Sequence, residues 1–221
     1  HKTDLYDLNW NIMHGVRWKH PNTNQVLPKP ECLDEIPFDG FIGCDGGYIE
    51  FHQEILLNNV FTVKDLNLQN SIYEATNGQY IINERATSYF SDIDGELIKK
   101  HLKLYNGTDK LPDDYDDHWR FQNIKANTVT ALFYNAKDLH EALDMLPQEW
   151  SINAYDTGHI RMDVHPQGYT KGTACQYLYQ KLGISKEDTY AFGDGENDIE
   201  MLHLVGTSIA MGNADVEVKK H

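Results

Sequence analysis

The chain has 221 residues, 40% of them hydrophobic and 11% aromatic, enough for one large domain or two modest ones with real cores. Its 34 acidic residues against 19 basic ones leave a formal charge of −15, which repels nucleic acid; a small anionic ligand would need a local positive centre or a metal ion. No run approaches the roughly 18 apolar residues of a membrane span, and His1 to Asn11 lacks the charged-then-apolar layout of a signal peptide.

Cys32, Cys44 and Cys175 are odd in number and show no CxxC spacing, so a reducing, cytoplasmic setting without structural zinc is expected. Asn106-Gly107-Thr108 fits a glycosylation acceptor, but so short a pattern recurs by chance and has no meaning in a cytoplasmic protein.

The first thirty residues are polar and end in Pro28-Lys29-Pro30, with no clear periodicity. A short buried strand is expected at Gly40 to Cys44, closed by the turn residues Asp45-Gly46-Gly47, with a new strand starting at Tyr48 to Phe51. Val63 to Leu68 and Gly95 to Tyr105 have helical spacing, and Thr128 to Tyr134 is rich in strand formers. Leu139, Ala142, Leu143 and Leu146 share one face of a helix over Lys137 to Leu146. Trp150 to Tyr155 and His159 to Val164 read as two strands joined at Asp156-Thr157-Gly158. From there the style changes. Lys171 to Leu182 is an amphipathic helix ending at Gly183, and Thr189 to Phe192 is a short buried strand. Asp198 to Leu204 is helical, Thr207 to Met211 is again a strand, and Asp215 to Lys220 begins another helix. Strand and helix alternating at this spacing predict a parallel sheet with right-handed crossovers.

Gly193-Asp194-Gly195-Glu196-Asn197-Asp198 is the sharpest chemical signal, because it lies where a parallel strand gives way to a helix. Ligands of open α/β sheets bind at that edge. Asp194 and Asp198, one helical turn apart, offer hard oxygen donors suited to Mg²⁺. Asn197 and the amides of the helix N-terminus can donate to a phosphate. The plain alternative is a solvated acidic turn capping a helix. Lys171, opening the preceding helix in Gly168-Tyr169-Thr170-Lys171-Gly172, could bring an ammonium to the same edge and neutralise phosphate charge. A lysine so placed is otherwise ordinary surface.

Lys171-Gly172, Ala191 to Leu202 and Ile209-Ala210-Met211-Gly212-Asn213-Ala214 together resemble the haloacid dehalogenase superfamily, and within it the Cof-type phosphatases with a large cap. The match is dense from about 163 to 220 and includes Val218-Lys219. Phe38 to Gly43 with Gly46 resembles the family's strand leading into the cap, which usually ends in Asn-Gly; here Asp45 stands in place of that asparagine. The resemblance implies a Rossmann-like parallel-sheet α/β core over 1–47 and 163–221, with an α+β cap inserted at 48–162. It also implies a Mg²⁺-dependent phosphatase acting on small phosphorylated metabolites such as sugar phosphates, through an aspartyl-phosphate. Lys171 and Asp194 then stand as catalytic, Lys171, Asn197 and Gly46 as phosphate-binding, and Asp194 and Asp198 as metal-binding. No nucleic acid, membrane or obligate protein partner is expected.

The family's first motif, DxDG on a buried N-terminal strand, is missing from its expected place: Asp4-Leu5-Tyr6-Asp7 has the wrong spacing. The second motif, Ser or Thr before Gly-Arg, is also missing, with Thr23 a weak stand-in. Asp92-Ile93-Asp94-Gly95 spells DxDG but falls mid-cap before a helix, and reads as a helix-capping loop. Asp113-Asp114-Tyr115-Asp116-Asp117 reads as a solvated loop. Three explanations stand open: the chain is a fragment of a longer protein, it is a binding relative without turnover, or another carboxylate supplies the nucleophile. A phosphomutase is a further alternative to the phosphatase.

Overall fold

The computed structural model of the chain describes residues 39–52, 54–84, 88–107 and 124–221. Asp4 to Asp7, Thr23, Cys32 and the 113–117 acidic run lie outside these. The described residues fall into two compact units, one of Gly40–Asn59 with Gly168–His221 and the other of Val60–Gln167. Residues 48–59 thus group with the first and 163–167 with the second, whereas the sequence placed its boundaries at 47/48 and 162/163.

In the first unit, β1 (Gly40–Gly43), β2 (Tyr48–Phe51) and β3 (Glu54–Asn58) form an antiparallel sheet in the order β1-β2-β3. The link from β1 to β2 is a tight turn in which Cys44 (φ 53°), Asp45 (φ 48°) and Gly46 (φ 103°) are all left-handed. The unit continues with α4 (Lys171–Lys181), β9 (Tyr190–Gly193), a single 3₁₀ turn at Glu196–Asp198, α5 (Ile199–Leu204) and β10 (Thr207–Ala210). β9 and β10 pair in parallel, Tyr190 opposite Thr207 through Gly193 opposite Ala210. Among the described residues, they make up the parallel sheet. β9 was expected to be buried throughout, but it alternates: Ala191 and Gly193 point inward while Tyr190 and Phe192 are exposed. A small core of Ala191, Leu202, Val205, Ala214 and Val218 sits beneath. The helix expected from Asp215 is only a 3₁₀ turn at Val218–Lys220.

Local chemistry explains α4 well. Thr170 caps it in a reciprocal box with Thr173, and Gly183 (φ 68°) closes it, with the amides of Gly183 and Ile184 returning to the carbonyls of Gln180 and Tyr179.

The second unit holds α1 (Val63–Ala75), β4 (Gln79–Asn83), β5 (Ser88–Phe90), α2 (Glu96–Asn106), β6 (Thr128–Leu132), α3 (Ala136–Met145), β7 (Ser151–Tyr155) and β8 (Arg161–His165). Its five strands form one antiparallel sheet in the order β5-β4-β6-β8-β7. Strand periodicity divides the side chains between two faces. Tyr80, Ile82, Val129, Ala131, Met162 and Val164 pack with Leu66, Ile72 and Tyr73 of α1 and Leu139 and Ala142 of α3. On the other face Ile81, Phe90 and Leu132 pack with Leu97, Ile98 and Leu102 of α2. That second face also buries a polar network. Ser88 donates to Asn83, Asn83 to Thr130 and Thr130 to Asp163, and Thr128 meets His165 at 3.0 Å.

The Asp92–Gly95 segment is a loop, as expected, but its aspartates do not cap α2. The cap comes from Gln79 on β4, whose side-chain oxygen accepts from the amides of Leu97 and Ile98. Asp94 is solvated and ion-paired with Lys99 at 3.1 Å.

No helix among the described residues is long and apolar enough to cross a membrane. Leu139→Ala, which empties a fully buried position of the larger core, is expected to cost about 2–5 kcal/mol, read from urea unfolding. A second expectation concerns His159, whose Nε2 lies 3.0 Å from His101 Nδ1. Burial, then Arg161 and Lys100, hold His159 below its ordinary imidazole value, against a smaller opposing effect of Asp163. The folded state therefore binds fewer protons than the unfolded one just below pH 6.5, and stability falls as pH drops through that range. Melting temperatures at pH 7.5 and 5.5 should differ less in His159→Gln than in the wild type.

Candidate active site

All five residues singled out for phosphate or metal handling belong to the first unit. Lys171, the first residue of α4, sends its ammonium to Asp198, 2.8 Å from Oδ1. The other oxygen of Asp198 accepts from the amides of Asp194, at 3.0 Å, and Gly195, at 3.2 Å. One buried carboxylate thus ties the lysine to the loop that carries Asp194. The approach is possible because residue 193 is glycine: a Cβ there would stand 2.7 Å from that of Asp198.

Asp194 itself is exposed at the carboxyl end of β9, and Asn213, in the loop after β10, donates to its Oδ2 at 3.1 Å. That loop is held by backbone and side chain together. Asp215 N donates to Asp194 O, Met211 N to Gly193 O, and Lys219 Nζ to Gly212 O at 2.8 Å.

Asp45 completes the cluster from the β1–β2 turn. It is 8% exposed, and its Oδ1 lies 3.9 Å from Lys171 Nζ and 3.4 Å from Asn197 Nδ2. Gly46 fixes this turn against α4. A Cβ at 46 would stand 2.1 Å from Thr170 O, and the backbone is in a region that side chains rarely adopt. Its role is close approach, bringing the turn up to Lys171.

The structure therefore gathers Lys171, Asp194, Asn197, Asp198 and Gly46 at one edge. The amides of Asp194 and Gly195 donate to Asp198. Asp198, expected as a metal ligand, thus accepts on both oxygens, from Lys171 on one and from this loop on the other. Among the described residues, none donates to the other oxygen of Asp194, Oδ1. Among the described residues no group of three or more His, Cys, Asp or Glu could hold an ion by itself. An exposed single carboxylate still fits Mg²⁺, which keeps waters and is often held by one or two carboxylates plus substrate phosphate. The charges met among the described residues point the same way, since the Lys171 ammonium stands here among the carboxylates of Asp45, Asp194 and Asp198.

Asn213 and Asp45 carry roles that the motif reading did not assign. Asn213 lay inside a quoted motif, and only its distance in sequence from Asp194 hid the contact. Cys175 is no rival nucleophile: burial pushes its thiol up, only partly countered by Lys171.

A model of the haloacid dehalogenase-like hydrolases matches residues 26–221. The chain belongs to that family. It is 27% identical to YkrA of Bacillus subtilis over 203 residues, 88% of this chain and 72% of that protein. It is 53% identical to the HMP-PP phosphatase of Cronobacter sakazakii over 99 residues, 42% of this chain and 36% of that protein. Matches span 36%, 50% and 64% of the length of three further curated relatives. The fold is similar to that of a HAD subclass IIB sugar phosphatase, with a TM-score of 0.69 at 24% identity, covering 86% of this chain and 70% of that one. The α/β architecture expected from the haloacid dehalogenase resemblance is thereby borne out.

Two substitutions test the geometry. Gly46→Ala forces both the contact with Thr170 and the backbone, and should cost at least about 2 kcal/mol in chemical unfolding. Asp198→Ala leaves two amides and an ammonium without their acceptor. Because the Lys171 side chain is a quarter exposed, the expected loss is about 2 kcal/mol and not the full penalty of a buried pair.

Proposed function

We propose that this haloacid dehalogenase-like protein is a Mg²⁺-dependent phosphatase acting on small phosphorylated metabolites, with sugar phosphates the class favoured by the sugar phosphatase of similar fold. The observation that carries this reading is the single carboxylate of Asp198 joining the Lys171 ammonium to the Asp194 loop. In this reading the unit of Gly40–Asn59 and Gly168–His221 belongs to the core, and Val60–Gln167 is the inserted cap that sets specificity. The setting is cytoplasmic, and a small phosphorylated substrate is the one partner required.

Lys171 neutralises the phosphoryl oxygens and allows a carboxylate to approach a substrate that repels it. Asn197 donates to a phosphoryl oxygen, and the close-packed Gly46 keeps the turn beside the phosphate from crowding it. Asp194, steadied by Asn213, would hold Mg²⁺ through its free oxygen. When bound, the ion offsets charge that accumulates on the transferring group. The attacking aspartate, expected two residues before the aspartate that serves as acid and base, forms an aspartyl-phosphate as the ester P–O bond breaks and the acid protonates the departing alcohol; water, deprotonated by the same residue, then releases phosphate and free aspartate.

A binding protein without turnover is the second reading. It is favoured by the neighbours of Lys171: neither Asp45 nor Asp198 belongs to an Asp-x-Asp pair.

Hydrolysis of p-nitrophenyl phosphate decides between them. Phosphate release should stop on chelation and return with Mg²⁺, and Lys171→Ala and Asp194→Ala should each lower kcat/KM by about 10²–10³-fold. An inactive wild type in a chain of verified complete length favours the binding protein. A mutase would instead need a bisphosphate activator and yield an isomer.

A further inference from the structure

We propose that Asp45 is a charge-selecting residue, whose carboxylate sets how weakly the site holds a phosphate dianion; this rests on the phosphate-site reading above. The same oxygen of Asp45 lies 3.9 Å from Lys171 Nζ and 3.4 Å from Asn197 Nδ2, the two side-chain donors that the proposed function assigns to a phosphoryl group. It therefore stands where an anion's oxygen would be drawn by those donors. Lys171 is already opposed by Asp198 at 2.8 Å, so Asp45 is the second negative charge on one ammonium.

The carboxylate has little room to withdraw. Asp45 is 8% exposed, and its turn is fixed on both sides: Gly47 N donates to Cys44 O at 2.9 Å, and Asn59 N to Gly47 O at 2.7 Å. Gly46 is pressed on the Thr170 carbonyl, and three consecutive left-handed residues leave the backbone no easy alternative. A fixed negative charge beside the phosphoryl position weakens every dianion there, free inorganic phosphate included. Such a residue keeps product from accumulating on the site.

Isothermal titration with inorganic phosphate in MgCl₂ tests this on the full chain, comparing wild type, Asp45→Asn, Asp45→Gly and Lys171→Ala. Asn and Gly both accept the left-handed backbone, and both remove the charge. Each should tighten phosphate about tenfold or more, with the gain shrinking as ionic strength rises. Damage to the turn would not produce tighter binding. If neither Asp45 variant binds phosphate more tightly while Lys171→Ala abolishes binding, the role of Asp45 is overturned and the phosphate site stands. If Lys171→Ala binds phosphate as the wild type does, both fall together.

Discussion

The carboxylate of Asp198 is nearly buried, and a buried charge persists only where its oxygens are matched by donors. Here one oxygen meets an ammonium and the other meets two backbone amides. Each side of that arrangement constrains the other. The amides fix the carboxylate because they belong to the chain itself, in the turn that follows β9. The carboxylate in turn fixes the ammonium, which would otherwise move at the end of a flexible four-carbon stem with a large rotamer entropy. A lysine at the start of α4 becomes a positioned cation only through this contact.

Two stretches of chain far apart in sequence have to arrive together for that to happen. Asp45 and Gly46 come from the β1–β2 turn, before the unit of Val60–Gln167, and Lys171 from the helix after it. What lies between can be large because it satisfies itself. Its antiparallel sheet is covered by α1 and α3 on one face and partly by α2 on the other. Even the first turn of α2 is capped from within, by Gln79.

What the sequence made legible was local. Thr170 before Lys171 and Gly183 after Leu182 mark the ends of α4 by chemistry confined to a few residues. Gly193 to Asp198 announced itself because glycine and acidic residues crowd the end of an apolar strand. Less legible were features made by distant partners. Short β3 mixes exposed and half-buried positions without a clean period, and the Gln79 cap spans 18 residues. The left-handed conformation of Asp45 could not be read from its letter, since it belongs to a turn whose next residue, Gly46, is packed on the distant Thr170. The stretch from Asp215 forms one α-type bond, Lys219 N to Asp215 O, while its start is tied to Asp194 O and the Lys219 side chain returns to Gly212 O.

The charge of the site makes chemical sense of these contacts. Among the described residues, a chain with formal charge −15 has gathered the Lys171 ammonium and the carboxylates of Asp45, Asp194 and Asp198 at the edge of its parallel strands. If phosphate binding alone were the requirement, such an excess of negative charge would be a poor solution, and a ring of arginines a better one. Under the proposed Mg²⁺ reading the excess becomes reasonable, because Asp194 would serve the ion while Asp198 restrains the lysine. The same letters, Asp and Asp four residues apart, thus stand in two environments: Asp194 faces solvent, and Asp198 is buried with a donor on each oxygen.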